Sequence, residues 1–95
     1  MQDFRLPKLS PLLELYPSKS GEDGEPRWTL YDPVGNAYFR IDWAEFECLA
    51  RFHETQKAGD LIRKIHEETT IRLDLQSVAE LVKFLIESNL VEGST

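Results

Sequence analysis

The segment Trp28–Leu49 constrains the fold of this chain more than any other part of the sequence. It contains two short stretches of alternating apolar residues, separated by the turn sequence Asp32–Asn36, and a helix start follows without a spacer. Pro33 fixes φ in the turn, and Gly35 and Asn36 tolerate positive φ, as a four-residue hairpin loop requires. The sequence therefore predicts a β-hairpin that runs directly into a helix.

Each predicted hairpin strand has one apolar face, because side chains alternate between the two faces of a strand. An earlier strand is predicted at Leu12–Tyr16, ended by Pro17. A three-stranded antiparallel sheet is therefore expected. Its predicted inward residues in the hairpin are Trp28, Leu30, Ala37, Phe39 and Ile41, and its predicted outward residues are Arg27, Thr29, Tyr31, Tyr38 and Arg40.

Three helices are predicted after the hairpin. Asp42 and Glu45 form a capping box that starts the first helix, which extends to about residue 52. The second covers about residues 58–69, and the third, capped by Asp74, about residues 75–88. The expected fold is α+β and winged-helix-like, with three antiparallel strands followed by three helices. The predicted buried stripe of the first helix consists of Trp43, Phe46, Leu49 and Ala50.

The third predicted helix has an apolar arc that is wider than one core can easily cover. With successive residues about 100° apart, its apolar side chains occupy more than half of the circumference. Leu81 and Phe84 lie on one flank of this arc and Leu75 and Ile86 on the other, and the sequence does not decide which flank is free. The narrow polar strip consists of Gln76, Glu80, Lys83 and Glu87.

The parts outside these elements are expected to be loosely organised. Residues 1–11 contain two prolines and little periodicity, which favours a flexible N-terminal arm. Residues 18–26 are polar with two glycines, which favours a mobile, solvated loop. Residues 93–95 are expected to be a tail that links to a downstream region. The predicted domain therefore covers residues 12–92.

The composition excludes several partners. Seventeen acidic and 11 basic residues give a formal net charge of -6, which disfavours binding to nucleic acid. Glu80 and Glu87 on the third helix also disfavour a DNA-reading role, although winged-helix DNA binding is kept as a third alternative. The apolar runs are too short for membrane insertion, and the single cysteine, Cys48, favours a reducing, cytoplasmic setting.

No catalytic or metal-binding motif is found. Each His-Glu dipeptide lacks a second histidine four residues after the first, since Lys57 follows His53 and Thr70 follows His66 at that spacing. His53 is expected to border the core, and Cys48 to behave as a small, partly buried apolar residue. We therefore expect this domain not to be an enzyme and to carry no cofactor.

The order of these motifs resembles a known family. Leu30–Pro33, Tyr38–Ile41 and Trp43–Leu49 together look like a PqqD-like domain, a winged-helix module that recognises peptides in the maturation of ribosomally made peptides. More narrowly, Trp28–Pro33, Tyr38–Ile41, Glu45–Glu47 and Glu68–Thr70 are similar to the N-terminal cytoplasmic segment of site-2-type membrane zinc metallopeptidases. The zinc motif of such a protein would lie beyond residue 95, and a downstream region would tether this domain to the inner membrane.

The resemblance implies that a peptide adds to the third strand as an extra strand and rests against the third helix, which is β-augmentation. The acidic surface favours a basic or neutral peptide. The wide apolar arc has other candidate partners: the N-terminal arm through Phe4, Leu6 and Leu9, a second copy of the chain, or downstream domains that this domain would scaffold or regulate. The peptide-binding residues that the resemblance implies are Tyr38, Phe39, Arg40, Ile41, Val78, Leu81, Val82 and Leu85.

Overall fold

The computed structural model of the chain describes residues 2–18, 24 and 27–92. The predicted loop at residues 18–26, apart from Ser18 and Gly24, and the predicted tail at residues 93–95 lie outside this part of the chain. Within it, three strands precede three α-helices, which confirms the α+β prediction. The elements are β1 (Glu14–Ser18), β2 (Arg27–Asp32), β3 (Ala37–Asp42), α1 (Trp43–Arg51) with a 3₁₀ turn at Phe52–Glu54, α2 (Ala58–Glu68) and α3 (Leu75–Glu87).

The three strands form one antiparallel sheet in the order β1-β2-β3. The alternation predicted for the hairpin is observed, since Leu30 and Ile41 are buried and Trp28 stacks on Phe46 of α1 with 4.2 Å between ring centroids. The predicted end of the first strand was wrong, because β1 continues through Pro17. A proline is tolerated there since β1 is an edge strand with one unpaired side.

The hairpin turn depends on a buried aspartate. Asp32 is 8% exposed, and its Oδ1 accepts a hydrogen bond of 3.1 Å from the Val34 N–H. A Cβ at Gly35 would lie 2.8 Å from Asp32 Oδ2, so any other residue there would force the Asp32 carboxylate to shift. Gly35 and Asn36 were both expected to tolerate positive φ, and of these two residues Asn36 adopts it, with φ of 51°.

The capping box at the start of α1 is confirmed. The Glu45 N–H donates to Asp42 Oδ1 at 2.8 Å, and the Asp42 N–H donates to Glu45 Oε1 at 3.0 Å. The predicted buried stripe was only partly right, because Cys48 and Leu49 are buried whereas Trp43 is 40% exposed and Ala50 is exposed. The stacking of Phe46 on the sheet sets the rotation of α1 and leaves Trp43 and Ala50 toward solvent.

One core joins the sheet to the helices. α2 contributes Ala58, Leu61 and Ile65 to this core. His53, expected to border the core, is exposed because it lies in the 3₁₀ turn beyond α1. The buried residues are Leu6, Leu30, Ile41, Cys48, Leu49, Phe52, Ala58, Leu61, Ile65, Ile71, Val78, Leu81, Leu85 and Leu90.

The described part of the N-terminal segment, residues 2–11, is attached closely to the helices, which differs from the flexible arm that was expected. Leu6 is buried, its N–H donates to Gln56 O at 2.8 Å, and the Ala58 N–H donates to Phe4 O at 2.9 Å. An isolated β-bridge joins Leu9 to residue 91, after α3. Pro7 and Pro11 do not prevent this pairing, because the backbone donors of the segment are Leu6 and Ser10.

Candidate peptide-binding edge and cleft

The outer edge of β3 has no strand partner among the described residues. β3 pairs only with β2, and no described backbone group outside β2 and α1 hydrogen-bonds to it. In an antiparallel strand, every second residue directs its N–H and C=O away from the paired neighbour. The β3 edge therefore offers backbone donors and acceptors to an incoming chain. Tyr38, at the start of this edge, is 67% exposed, and Arg40 is also exposed.

The structure decides how α3 is turned relative to β3. Phe84 meets Phe39 of β3 edge to face, with 5.4 Å between ring centroids, while Leu85 is completely buried. Val82 lies two residues before Phe84 and therefore about 160° away from it around the helix. The Phe84 flank of α3 thus faces β3, and the flank that carries Val82 faces elsewhere.

The flank of α3 that remains free is the one that carries Ile86. Ile86 is 49% exposed, and together with Ala79 and Val82 it forms an apolar depression against Phe4 of the N-terminal segment. Lys83 and Glu87, which form an ion pair at 3.8 Å, border this depression. We call this surface the outer flank of α3. The sequence did not decide which flank of α3 is free, and the structure shows that it is this one. Phe4 covers it only in part.

The eight predicted peptide-binding residues do not form one surface. Four of them belong to the core, because Ile41, Val78, Leu81 and Leu85 are between 0% and 6% exposed. Tyr38, Phe39 and Arg40 lie on β3 as expected, whereas Val82 lies on the outer flank of α3. The edge strand therefore remains a candidate site, and α3 would contribute to it mainly through other residues.

A cleft opens where β3 passes into α1, opposite the N-terminal half of α3. Its volume is about 290 Å³. One side is formed by the junction of β3 and α1, and the other by α3 and the connection that precedes it. The lining residues are Asp42, Ala44, Glu45, Cys48, Leu73, Ser77, Val78, Glu80 and Leu81.

The rim of this cleft is negatively charged. Asp42, Glu45 and Glu80 line it, and no lysine, arginine or histidine is found among the described lining residues. Burial raises the pKa of the Glu45 carboxyl, and the charge of Asp42 adds to this effect, while the hydrogen bond from the Asp42 N–H acts in the opposite direction. Carboxylates placed this closely favour a cationic group beside them.

The wall on the side of α3 is held by hydrogen bonds in the α2–α3 connection. His66 Nε2 accepts a hydrogen bond from the Leu73 N–H at 3.0 Å. The Asp74 Oδ1 accepts from the Ser77 N–H at 2.9 Å, which starts α3 and lowers the pKa of Asp74. These bonds place Leu73 and Ser77 in the cleft.

Most residues of the cleft were not predicted from the sequence. The capping box indicated that Asp42 and Glu45 stand at the end of β3, but their approach to Ser77 and Glu80 depends on the packing of α1 against α3. Leu73 carried no signal, since it lies between two predicted helices. Only Val78 and Leu81 were among the predicted site residues, and both are floor residues that pack into the core.

The remaining chemistry-bearing residues are placed as follows. Burial raises the pKa of the Cys48 thiol to about 12, with a smaller contribution from the charge of Asp42. Among residues 2–18, 24 and 27–92, no three His, Cys, Asp or Glu side chains are grouped so that they could hold a metal ion. Each helix in the same part of the chain is too short or too polar to traverse a bilayer.

In comparisons with known proteins, no family model, no curated protein and no solved structure matches this chain significantly.

Proposed function

We propose that this domain recognises an extended peptide or protein segment, which adds to the sheet as a fourth strand beside β3. The observation that carries the proposal is the unpaired edge of β3, which leads directly into the cleft between α1 and α3. Strand addition uses such an edge for affinity and neighbouring pockets for specificity.

The length of β3 sets the size of the recognised segment. β3 has six residues, from Ala37 to Asp42, and at about 3.3 Å per residue it spans roughly 20 Å. An added strand would direct alternate side chains toward the helices, where Phe84 and the cleft lie. The other side chains would lie beside Tyr38 and Arg40 on the outer face of the sheet.

This role agrees with the resemblance to PqqD-like domains, which rests on the sequence. In the same proposal the domain is a non-catalytic, winged-helix-type module in the cytoplasm. It would precede a membrane zinc metallopeptidase or belong to a peptide maturation or export protein.

A second candidate function is intramolecular scaffolding or regulation without a free peptide. The outer flank of α3 favours it, because Ile86 is half exposed beside an apolar depression of about 460 Å³. Winged-helix DNA binding is less well supported, since Glu80 and Glu87 occupy the exposed side of α3 and the net charge is -6.

The test uses the isotope-labelled domain and a library of octapeptides that alternate β-branched with variable residues. The tightest binder is synthesised again in two forms, N-methylated either at its odd or at its even positions. In strand addition only one set of N–H groups faces β3, so one form should lose binding and the other should keep it. Each form is the control for the other, because their side chains are identical.

The amide shifts that accompany binding should map to residues 38–42 and to Phe84. If neither N-methylated form binds more weakly than the parent peptide, strand addition is wrong. If the shifts map instead to Val82 and Ile86, the ligand uses the outer flank of α3, which supports the scaffolding function.

A further inference from the structure

We infer that the cleft between α1 and α3 receives a lysine or arginine side chain of the bound segment, so that this domain selects basic extended segments. This inference rests on the proposed strand addition and adds the chemical class of the ligand. It is carried by three features of the cleft: an apolar floor, a rim of carboxylates, and a position at the end of the β3 edge.

The floor and the rim match the two parts of a long cationic side chain. Ala44, Leu73 and Leu81 provide apolar walls, along which the methylene stem of lysine or arginine can lie. Glu45 and Glu80 stand at the rim, where a charged head group would form charge-assisted hydrogen bonds. A wholly apolar side chain would bring no positive charge to these carboxylates, and an acidic side chain would be repelled by them.

The size of the cleft fits one side chain. Its volume of about 290 Å³ lies at the lower end of the range of about 300–1,000 Å³ that drug-sized ligands require. A helix or a folded loop would not enter it. The position of Asp42, which is both the last residue of β3 and a lining residue, places the cleft beside the segment that pairs with the end of β3.

Two of the nearby cations, Arg51 and Lys83, are paired with carboxylates outside the cleft. Arg27 lies opposite Asp42 in the sheet register and has interactions of its own. Arg51 binds the Glu47 and Glu68 carboxylates at 3.1 and 2.6 Å, at the other end of α1. Lys83 pairs with Glu87.

Glu80, which lines the cleft, accepts a hydrogen bond from the Gln76 side chain at 3.2 Å, and this amide brings no charge. Burial and Asp42 together raise the pKa of Glu45, as expected for a carboxylate that lacks a cation beside it. A cation from a ligand would therefore meet a site that is negative and already formed.

The experiment uses acetylated octapeptides of alternating valine and threonine in which one lysine is moved through every position. At the best position, lysine is replaced by methionine, which keeps the length and removes the charge, and by glutamate. We expect the methionine peptide to bind about tenfold more weakly than the lysine peptide at low salt, and the glutamate peptide more weakly still. The advantage of lysine over methionine should shrink as salt is added.

Two protein variants test whether the preference for lysine over methionine arises in the cleft. Glu80→Gln removes a rim charge and should reduce the advantage of lysine over methionine by at least about threefold. Glu87→Gln is the matched control, because it removes the same charge from the same helix at a position outside the cleft, and it should leave the advantage unchanged.

If lysine and methionine peptides bind equally and Glu80→Gln has no effect, the inference is wrong while strand addition stands. If Glu87→Gln acts as strongly as Glu80→Gln, the preference reflects the overall charge, and the assignment to the cleft is overturned. If no peptide in the series shifts residues 38–42, the proposed function itself fails and the inference fails with it.

Discussion

At the scale of single residues, Asp42 connects the fold to the candidate site. It ends β3, caps α1 through the Glu45 N–H, and lines the cleft. The sequence predicted the second role, because the capping-box spacing is local. The third depends on α3, which is more than 30 residues away along the chain.

Cys48 provides a residue-scale prediction about pH. Its pKa is raised from 9.0 to about 12 in the folded protein, mainly by burial. Between these values the unfolded chain loses the thiol proton and the folded chain keeps it, so the free energy of unfolding falls as pH rises from about 9. We expect urea midpoints measured from pH 8 to pH 11 to fall more steeply for the natural protein than for Cys48→Ala.

The comparison with Cys48→Ala also controls for the titration of the tyrosines, because both proteins contain them. Equal slopes for the two proteins above pH 9 would contradict the assignment of the effect to this thiol.

At the scale of the elements, α3 has two apolar sides with different roles. Val78, Leu81 and Leu85 face the core, and Ala79, Val82 and Ile86 form the outer flank. The sequence showed that the apolar arc was too wide for one core. It did not show which side was free, since periodicity gives the relative angles of side chains but not the rotation of the helix in the fold.

Adjacent residues of α3 should therefore respond differently to substitution. Leu85→Ala creates a cavity in the core and should lower the free energy of unfolding by about 2–5 kcal/mol. Ile86→Ala changes a half-exposed side chain on the outer flank and should cost less than about 1 kcal/mol. Urea unfolding of both variants, with circular dichroism at 222 nm, measures the difference. Similar losses for the two variants would show that α3 is rotated differently or that the outer flank is covered in solution.

At the scale of the whole molecule, the N-terminal segment and the chain after α3 lie together. Leu6 is buried, its N–H donates to Gln56 O, and the Ser10 N–H donates to Leu90 O at 3.0 Å. This pairing joins residues 80 positions apart and has no periodic signal, so the sequence predicted a flexible arm instead. The segment covers core surface that the sheet and helices leave open.

Leu6 should consequently act as a core residue. We expect Leu6→Ala to lower the free energy of unfolding by about 2–4 kcal/mol, and the Leu6 and Ala58 amides to be protected from hydrogen exchange in the natural protein. Leu12→Ala is the matched control, because Leu12 is 55% exposed and should cost less than about 1 kcal/mol. Rapid exchange of both amides, together with an unchanged free energy of unfolding in Leu6→Ala, would instead support a flexible N-terminal segment.

The sequence by itself determined the features that depend on neighbouring residues: the hairpin with its buried strand face, the capping box at Asp42, and the start of α3 at Asp74. These features are indicated by alternating apolar residues and by short-range hydrogen-bonding patterns, which can be recognised within about ten residues. Only the tertiary structure decided that Val82 faces away from β3, that Leu6 is buried, and that Glu45 and Glu80 share a cleft. These outcomes depend on how the helices rotate and pack to bury the most apolar surface. That packing depends on contacts between residues that are far apart in the sequence.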